Sequence, residues 1–277
     1  MNKTKIEWCD CTWNPVTGCL HGCPYCYAQR IARRFSGYWC EEQLRHFGAN
    51  GEMHDLEKPM YRHTTGKNRS APVHDVQAPY PFGFDPTLHC YRLNEPEQEK
   101  KPKTIFVVSM GDLFGDWVPD EWIQEVSAAC ERAPQHRYLF LTKNPKRYQK
   151  FFDHEGDPER RNFWLGTSVT DNCGFELRGP AHQLYAGTGL MGKHHANRFL
   201  SIEPLLGPIN ETALGNIKFF QWAIVGAETG SRKEKVVPQR EWIEAIVKAC
   251  NAAGVPVFMK NSLAKVWGTP LIQKFPW

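Results

Sequence analysis

Between residues 104 and 260 the chain repeatedly alternates a short apolar run with a more polar, helix-like segment. The apolar runs fall at 104–109, 137–142, 163–169, 198–203, 220–225 and 255–260. A strand that is apolar at successive positions is covered on both faces, as in a parallel sheet packed by helices. Helical periodicity fills the gaps. Trp122, Ile123 and Val126 share one face of 119–132, and Trp242, Ile246 and Ala249 share one face of 241–253. A short helical piece is expected at 145–152, and a helical or irregular one at 174–192. With one more strand within 1–17, the pattern predicts an α/β fold. Its core is a parallel (β/α) sheet of about seven strands, a partial or full TIM-type barrel. One domain spans 1–277, with an insertion of little periodicity at 36–102, rich in His, Pro and Gly.

Composition narrows the function classes. A net charge of +4, from 34 basic and 30 acidic residues, is too weak by itself to imply nucleic-acid binding. The ten Trp, 16 Phe and nine Tyr read first as core packing. The first residues contain no apolar leader core, and no window approaches a membrane span. A cytoplasmic location and ten unpaired cysteines are therefore expected.

Three of those cysteines are clustered. Residues 18–27 read Gly-Cys-Leu-His-Gly-Cys-Pro-Tyr-Cys-Tyr, placing Cys19, Cys23 and Cys26 at C-x3-C-x2-C spacing in a loop. Three thiolates in a Gly/Pro loop point to a metal or an iron–sulfur cluster. A [4Fe–4S] cluster held by three cysteines keeps one iron open, whereas ferredoxins and structural zinc sites take four ligands. Cys9, Cys11 or His21 stands near enough in sequence to be a fourth ligand, although no second C-x2-C or H-x3-H arm follows. Cys40, Cys90, Cys130, Cys173 and Cys250 are scattered and read as small buried apolar residues. A helix is expected after Pro24, with Tyr27, Ile31 and Phe35 on one face.

Polar residues recur where the strands end: Ser109 to Asp112, Thr142 to Asn144, Ser168 to Asn172, Glu203, Gly226 to Gly230, and Lys260-Asn261. In barrel folds that end carries the active site. Glu203 and Glu228 are the candidates there for acid–base or ligand roles.

A three-cysteine loop after the first strand of an α/β barrel resembles the radical SAM superfamily, and Tyr25, just before the third cysteine, extends the likeness. The resemblance implies an enzyme in which Cys19, Cys23 and Cys26 hold a [4Fe–4S] cluster that binds S-adenosylmethionine (SAM) and cleaves it reductively, the resulting radical taking hydrogen from a substrate. It further implies cofactor-binding roles for Tyr25 beside the adenine, for Gly111 and Asp112 at the SAM amino group, and for Ser168, or next Thr170, at the ribose. Met110-Gly111-Asp112 stands where the superfamily often has Gly-Gly-Glu. An external electron donor, flavodoxin- or ferredoxin-like, is implied as a partner.

More closely, the segments 4–8, 12–15, 18–28, 110–114, 141–145, 165–169, 201–207 and 225–230 resemble a family of phage and bacterial proteins with this three-cysteine motif. Ala227 and Thr229 depart from it where Gly and Ser are expected. Lys143, Lys146, Arg147, Lys260, Arg30, Arg33 and Arg34 read as a basic rim for a phosphate-bearing substrate, a nucleotide or nucleic acid undergoing base modification or repair. Two other readings compete: a non-enzymatic zinc- or cluster-stabilised nucleic-acid-binding protein, and a barrel whose cluster is a redox relay.

Overall fold

The computed structural model describes residues 1–40, 43–45, 51–64, 74–152, 162–186 and 197–277. Its main sheet has eight strands in chain order: β1 (Asn2–Lys3), β2 (Cys11–Trp13), β3 (Thr104–Val107), β4 (Arg137–Thr142), β5 (Phe163–Val169), β6 (Asn197–Ile202), β7 (Trp222–Val225) and β8 (Val257–Met259). From β2 to β8 every pairing is parallel, and only β1 is antiparallel to its neighbour. Among the described residues no ladder joins β8 to β1 or β2, so the sheet is open. The free side of β8 instead meets the C-terminal tail, where Phe258 bridges Gln273.

Both faces of the sheet are covered, as the unbroken apolar runs require. On the outer face, residues such as Val107, Phe140, Leu200 and Val225 join the main core with the helices α2 (Asp120–Glu131), α3 (Tyr148–Phe152), α4 (Pro180–Ala186) and α5 (Arg240–Ala253), while α1 (Tyr27–Arg34) packs in a smaller cluster of its own. Trp122, Ile123 and Val126 of α2 are buried as their spacing predicts. Gly254, in the left-handed region at φ 70°, closes α5.

The inner face holds a separate cluster of Trp8, Phe106, Leu139, Trp164, Phe199, Trp222, Ile224 and Phe258. Trp8 lies 4.6 Å from Phe106 of β3 and 6.3 Å from Trp222 of β7, measured between ring centroids. One side chain touching strands so far apart in the sheet order means that the sheet curls around it. Trp277 packs 5.2 Å from Trp222 and beneath the Arg137 guanidinium, adding the tail to this cluster.

Several expectations need correction. The 36–102 insertion, of little period in the sequence, contains short strands: Thr87–His89 pairs antiparallel with Val16–Thr17 and parallel with His54–Leu56. Two hairpins, Tyr38–Cys40 with Gln43–Arg45 and Tyr61–Thr64 with His74–Gln77, lie beside it. Strands this short display no readable period. Residues 41–42, 46–50 and 65–73 of that insertion, and 187–192 of the expected 174–192 segment, lie outside the described residues.

In α1 the buried face is Ala28 and Ala32, not Tyr27, Ile31 and Phe35. The two alanines let the helix settle closely on Phe84 and Met110, which turns Tyr27 and Ile31 outward at 42% and 39% exposure. In α5 the buried stripe is Ile243, Ile246, Val247 and Cys250, rotated from the expected Trp242 and Ala249. Cys130 and Cys250 are buried as expected, but Cys90 is half-buried and Cys173 is exposed. Among the described residues no helix is long and apolar enough to cross a membrane.

Candidate functional site

Side chains two apart on a strand share a face, and on the inner face of this sheet they change character along each strand. The series run Leu139, Leu141, Lys143 from β4; Trp164, Gly166, Ser168 on β5; Phe199, Ser201, Glu203 from β6; and Phe258, Lys260, Ser262 from β8. At the amino ends the rings interlock. Gly166 makes room for Phe199, since a Cβ there would lie 2.3 Å from its ring. Toward the carboxyl ends the side chains shrink and become polar, and a cavity of about 690 Å³ opens. Cys19, Cys23, Cys26, Tyr25, Gly111, Asp112, Ser168, Glu203 and Glu228 all line it, whereas Thr170, the second candidate for the ribose, does not.

The cysteine loop is set by close backbone packing. Gly18, at φ 90°, donates from its N–H to Met110 O at 2.9 Å. A Cβ on Gly18 would lie 2.2 Å from Asp85 O, and one on Gly111 would lie 2.6 Å from Gly18 O. Gly111 therefore serves loop-to-loop contact. The Cys26 Sγ caps α1 by accepting from Gln29 N–H at 3.3 Å. Burial pushes the Cys19 thiol up to about 12, a balance that coordination to a metal reverses.

Among the described residues no three His, Cys, Asp or Glu side chains converge on a point where a single ion would sit. All three cysteines line the one cavity, and soft thiolate donors of this kind suit iron–sulfur or other soft-metal chemistry. Cys9 and Cys11, the alternative ligands, stand at the amino end of β2 and do not line the cavity.

Asp112 is buried and fully engaged. It contacts His21 Nε2 at 2.7 Å and accepts from the N–H groups of Phe114 and Lys143, each at 3.0 Å. Burial alone would raise its pKa, but the bonds from His21 and the Lys143 N–H outweigh this and hold the carboxyl below the usual range. Its geometry ties the cysteine loop to the ends of β3 and β4. Asn14 does related work from β2, accepting from Ser109 Oγ and Met110 N–H. Tyr25 receives a 3.3 Å hydrogen bond from Lys143 Nζ, and burial raises its phenol.

The two candidate glutamates differ. Glu228 is buried and forked onto Arg232 at 2.8 and 2.7 Å, and this pairing holds its carboxyl below the usual range. Glu203 pairs with Lys260 across Gly226, where a Cβ would press on both side chains at 3.0 Å.

Three of the seven residues of the expected basic rim are paired with carboxylates within the chain. Lys260 pairs with Glu203, Arg147 with Asp120, and Lys146 with Asp116. Arg33 and Arg34 stay exposed on α1, whereas Arg30 packs on Gly230 and reaches Thr229 O at 3.5 Å.

A family model described as "Protein of unknown function (DUF5131)" matches residues 3–269. The chain belongs to the DUF5131 family. No curated protein and no solved structure matches it. The DUF5131 match runs from β1 past β8, so it takes in the cysteine loop, the insertion and each strand end around the cavity. A family without a described activity leaves function to be argued from the site.

Among the cavity residues of this DUF5131 chain that escape a sequence reading as site residues are Tyr27, Asn14 and Ile31. Asn14 carries no readable signal. Tyr27 and Ile31 do carry one, because Ala28 and Ala32 supply a second, smaller stripe that competes for the buried face.

Proposed function

We propose that this chain is a radical SAM enzyme whose curled, open sheet is a partial (β/α) barrel, acting in the cytoplasm. One observation carries the reading. Among the described residues three thiols, and no fourth, line a cavity shared with polar strand-end residues, at the end of a parallel sheet where such sites form. The donor set fits a [4Fe–4S] cluster held by Cys19, Cys23 and Cys26, with one iron left for SAM. When bound, that cluster supplies the electron that splits the sulfonium of SAM, yielding a 5′-deoxyadenosyl radical for hydrogen abstraction.

The chain's own residues have separable tasks in this scheme. Gly18 and Gly111 let the cysteine loop and the β3 turn touch. Asp112 fixes that loop through His21, so its part in holding the SAM amino group is indirect. Tyr25 and Ser168 both line the cavity, as contacts for the adenine and the ribose. Glu228, held ionised by Arg232, is a fixed acceptor rather than a proton donor. Glu203, paired with a lysine inside the cavity, is the better acid–base candidate. A flavodoxin- or ferredoxin-like donor supplies electrons. A nucleotide or nucleic acid, as a target of base modification or repair, is the leading substrate class.

Anaerobic reconstitution tests the reading. The expected result is about four irons and four sulfides per chain, with 5′-deoxyadenosine released from SAM under reduction. Cys23→Ala should abolish both while the far-ultraviolet circular dichroism stays unchanged. Stoichiometric zinc without SAM cleavage would overturn the proposal in favour of a zinc-stabilised binding protein.

A further inference from the structure

The Glu203–Lys260 pair joins two of the charged side chains that line the cavity. Their side chains are 22% and 16% exposed, and the exposed part faces the cavity. They come from β6 and β8 and meet over Gly226 of the intervening strand turn, so no side chain separates them. Among the described residues Lys260 Nζ has one hydrogen-bond partner, a single oxygen of Glu203. An ammonium carries three N–H donors and a carboxylate two acceptor oxygens. A donor and an acceptor therefore stand side by side, facing open space.

The wall beside this pair is aromatic. Tyr27 shows much of its ring to the cavity and is anchored by its hydroxyl, which donates to Ser109 O at 2.7 Å. Glu203 lies close enough that its charge, after burial, is the next cause raising the Tyr27 phenol. Ile31, one turn along α1, and Tyr80 continue that wall. A flat ring laid on Tyr27 would thus present its edge to Glu203 and Lys260.

We infer that Glu203 and Lys260 together read the edge of a planar cyclic amide, a lactam or imide of the kind found on nucleobases, with Tyr27 packing on its face. The ring N–H donates to Glu203, and the adjacent ring carbonyl accepts from Lys260. A phosphate satisfies the lysine but is repelled by the glutamate, so this pair selects a base-like ring rather than a backbone. The neutralisation of Lys146, Arg147 and Lys260 by nearby carboxylates points the same way. The inference rests on the reading of the cavity as a substrate site, but not on the cluster.

Calorimetric titration of the full chain with uridine and with 3-methyluridine, whose ring N–H is blocked, tests it. Uridine should bind, and N-methylation should weaken binding roughly tenfold, as for loss of one hydrogen bond to a charged group. Glu203→Ala should erase the difference between the two probes, whereas Lys260→Met, which removes only the carbonyl's donor, should weaken both and leave the difference. Tyr27→Leu should weaken both equally. Saturating S-adenosylhomocysteine should leave uridine affinity unchanged.

Equal affinity of the wild-type chain for the two probes, or no uridine binding, overturns the inference. So does mutual exclusion with S-adenosylhomocysteine, which would assign the pair to the cofactor's own adenine. The wild-type comparison decides even if a variant fails to fold. Persistent discrimination in a chain that neither assembles a cluster nor cleaves SAM would sink the cofactor reading and leave this one standing.

Discussion

The two ends of the inner sheet face are built from the same strands in opposite ways. At the amino ends, Trp8, Phe106, Trp164, Phe199, Trp222 and Phe258 interlock without a polar partner among them. At the carboxyl ends the same strands present Lys143, Ser168, Ser201, Glu203 and Lys260 to open space. The dry end can be held by packing alone. The open end cannot, because its walls must stay apart, and it is held instead by backbone contacts at glycines and by buried polar pairs such as Asp112–His21 and Glu228–Arg232. Stability and chemistry are thus separated by about two residues' rise along each strand.

The largest effect is expected at the dry end. Trp222 is fully buried and lies within 6.4 Å of the rings of Trp8, Trp164, Phe199 and Phe258. Trp222→Ala should cost about 4 kcal/mol by denaturant unfolding. A loss below about 1 kcal/mol would mean that the aromatic layer is not what holds the sheet in its curl.

The next effect sharpens what holds the open end. Gly18→Ala places a Cβ against the Asp85 carbonyl and forces φ 90° on an L-residue. A cost of about 3 kcal/mol is expected from strain and overpacking together. Gly22 is the control: its φ is 66°, yet a Cβ there would meet nothing within 4 Å. Gly22→Ala should cost only about 1 kcal/mol. Equal losses for the two would remove close loop packing as the device that sets the cysteines.

Much of this contrast is legible in the residues. The runs at 137–142 and 163–169 match their strands at both ends, because continuous apolar stretches bounded by turns leave little choice. The candidate site residues come together because they lie at strand ends or in the loops that follow, where a parallel sheet has to gather them. The pairing of Glu203 with Lys260 is hidden, since it joins β6 to β8 across a third strand and only the curl of the sheet brings the two side chains within reach. The face of α1 misleads for another reason: Tyr27, Ile31 and Phe35 carry more apolar area than Ala28 and Ala32, but small residues win where a helix must sit close. The strands of the insertion leave no trace, being too short for a period and held by partners far away in the chain.

The smallest effect separates the two ends by acid. His89 is buried in the short sheet that supports the start of the cysteine loop, between the Thr17 hydroxyl at 3.0 Å and the Tyr91 hydroxyl at 3.2 Å. Burial, and then the Arg92 charge, push its pKa from 6.5 down to about 2. The unfolded chain therefore takes up a proton below pH 6.5 that the folded chain refuses until about pH 2. The contribution of neutral His89 is complete above the upper value and falls as the pH drops, by about 1.4 kcal/mol per unit. Between pH 7 and pH 5 the wild-type chain should lose about 2 kcal/mol more than His89→Gln, which has no proton to gain there. Guanidinium unfolding at the two pH values measures the difference. Among the described residues the aromatic cluster holds no His or carboxylate, so Trp222→Ala should keep the wild-type pH slope while His89→Gln flattens it. If both variants kept the slope, the acid sensitivity would lie elsewhere, and the open end would owe less to buried neutral polar groups than its geometry implies.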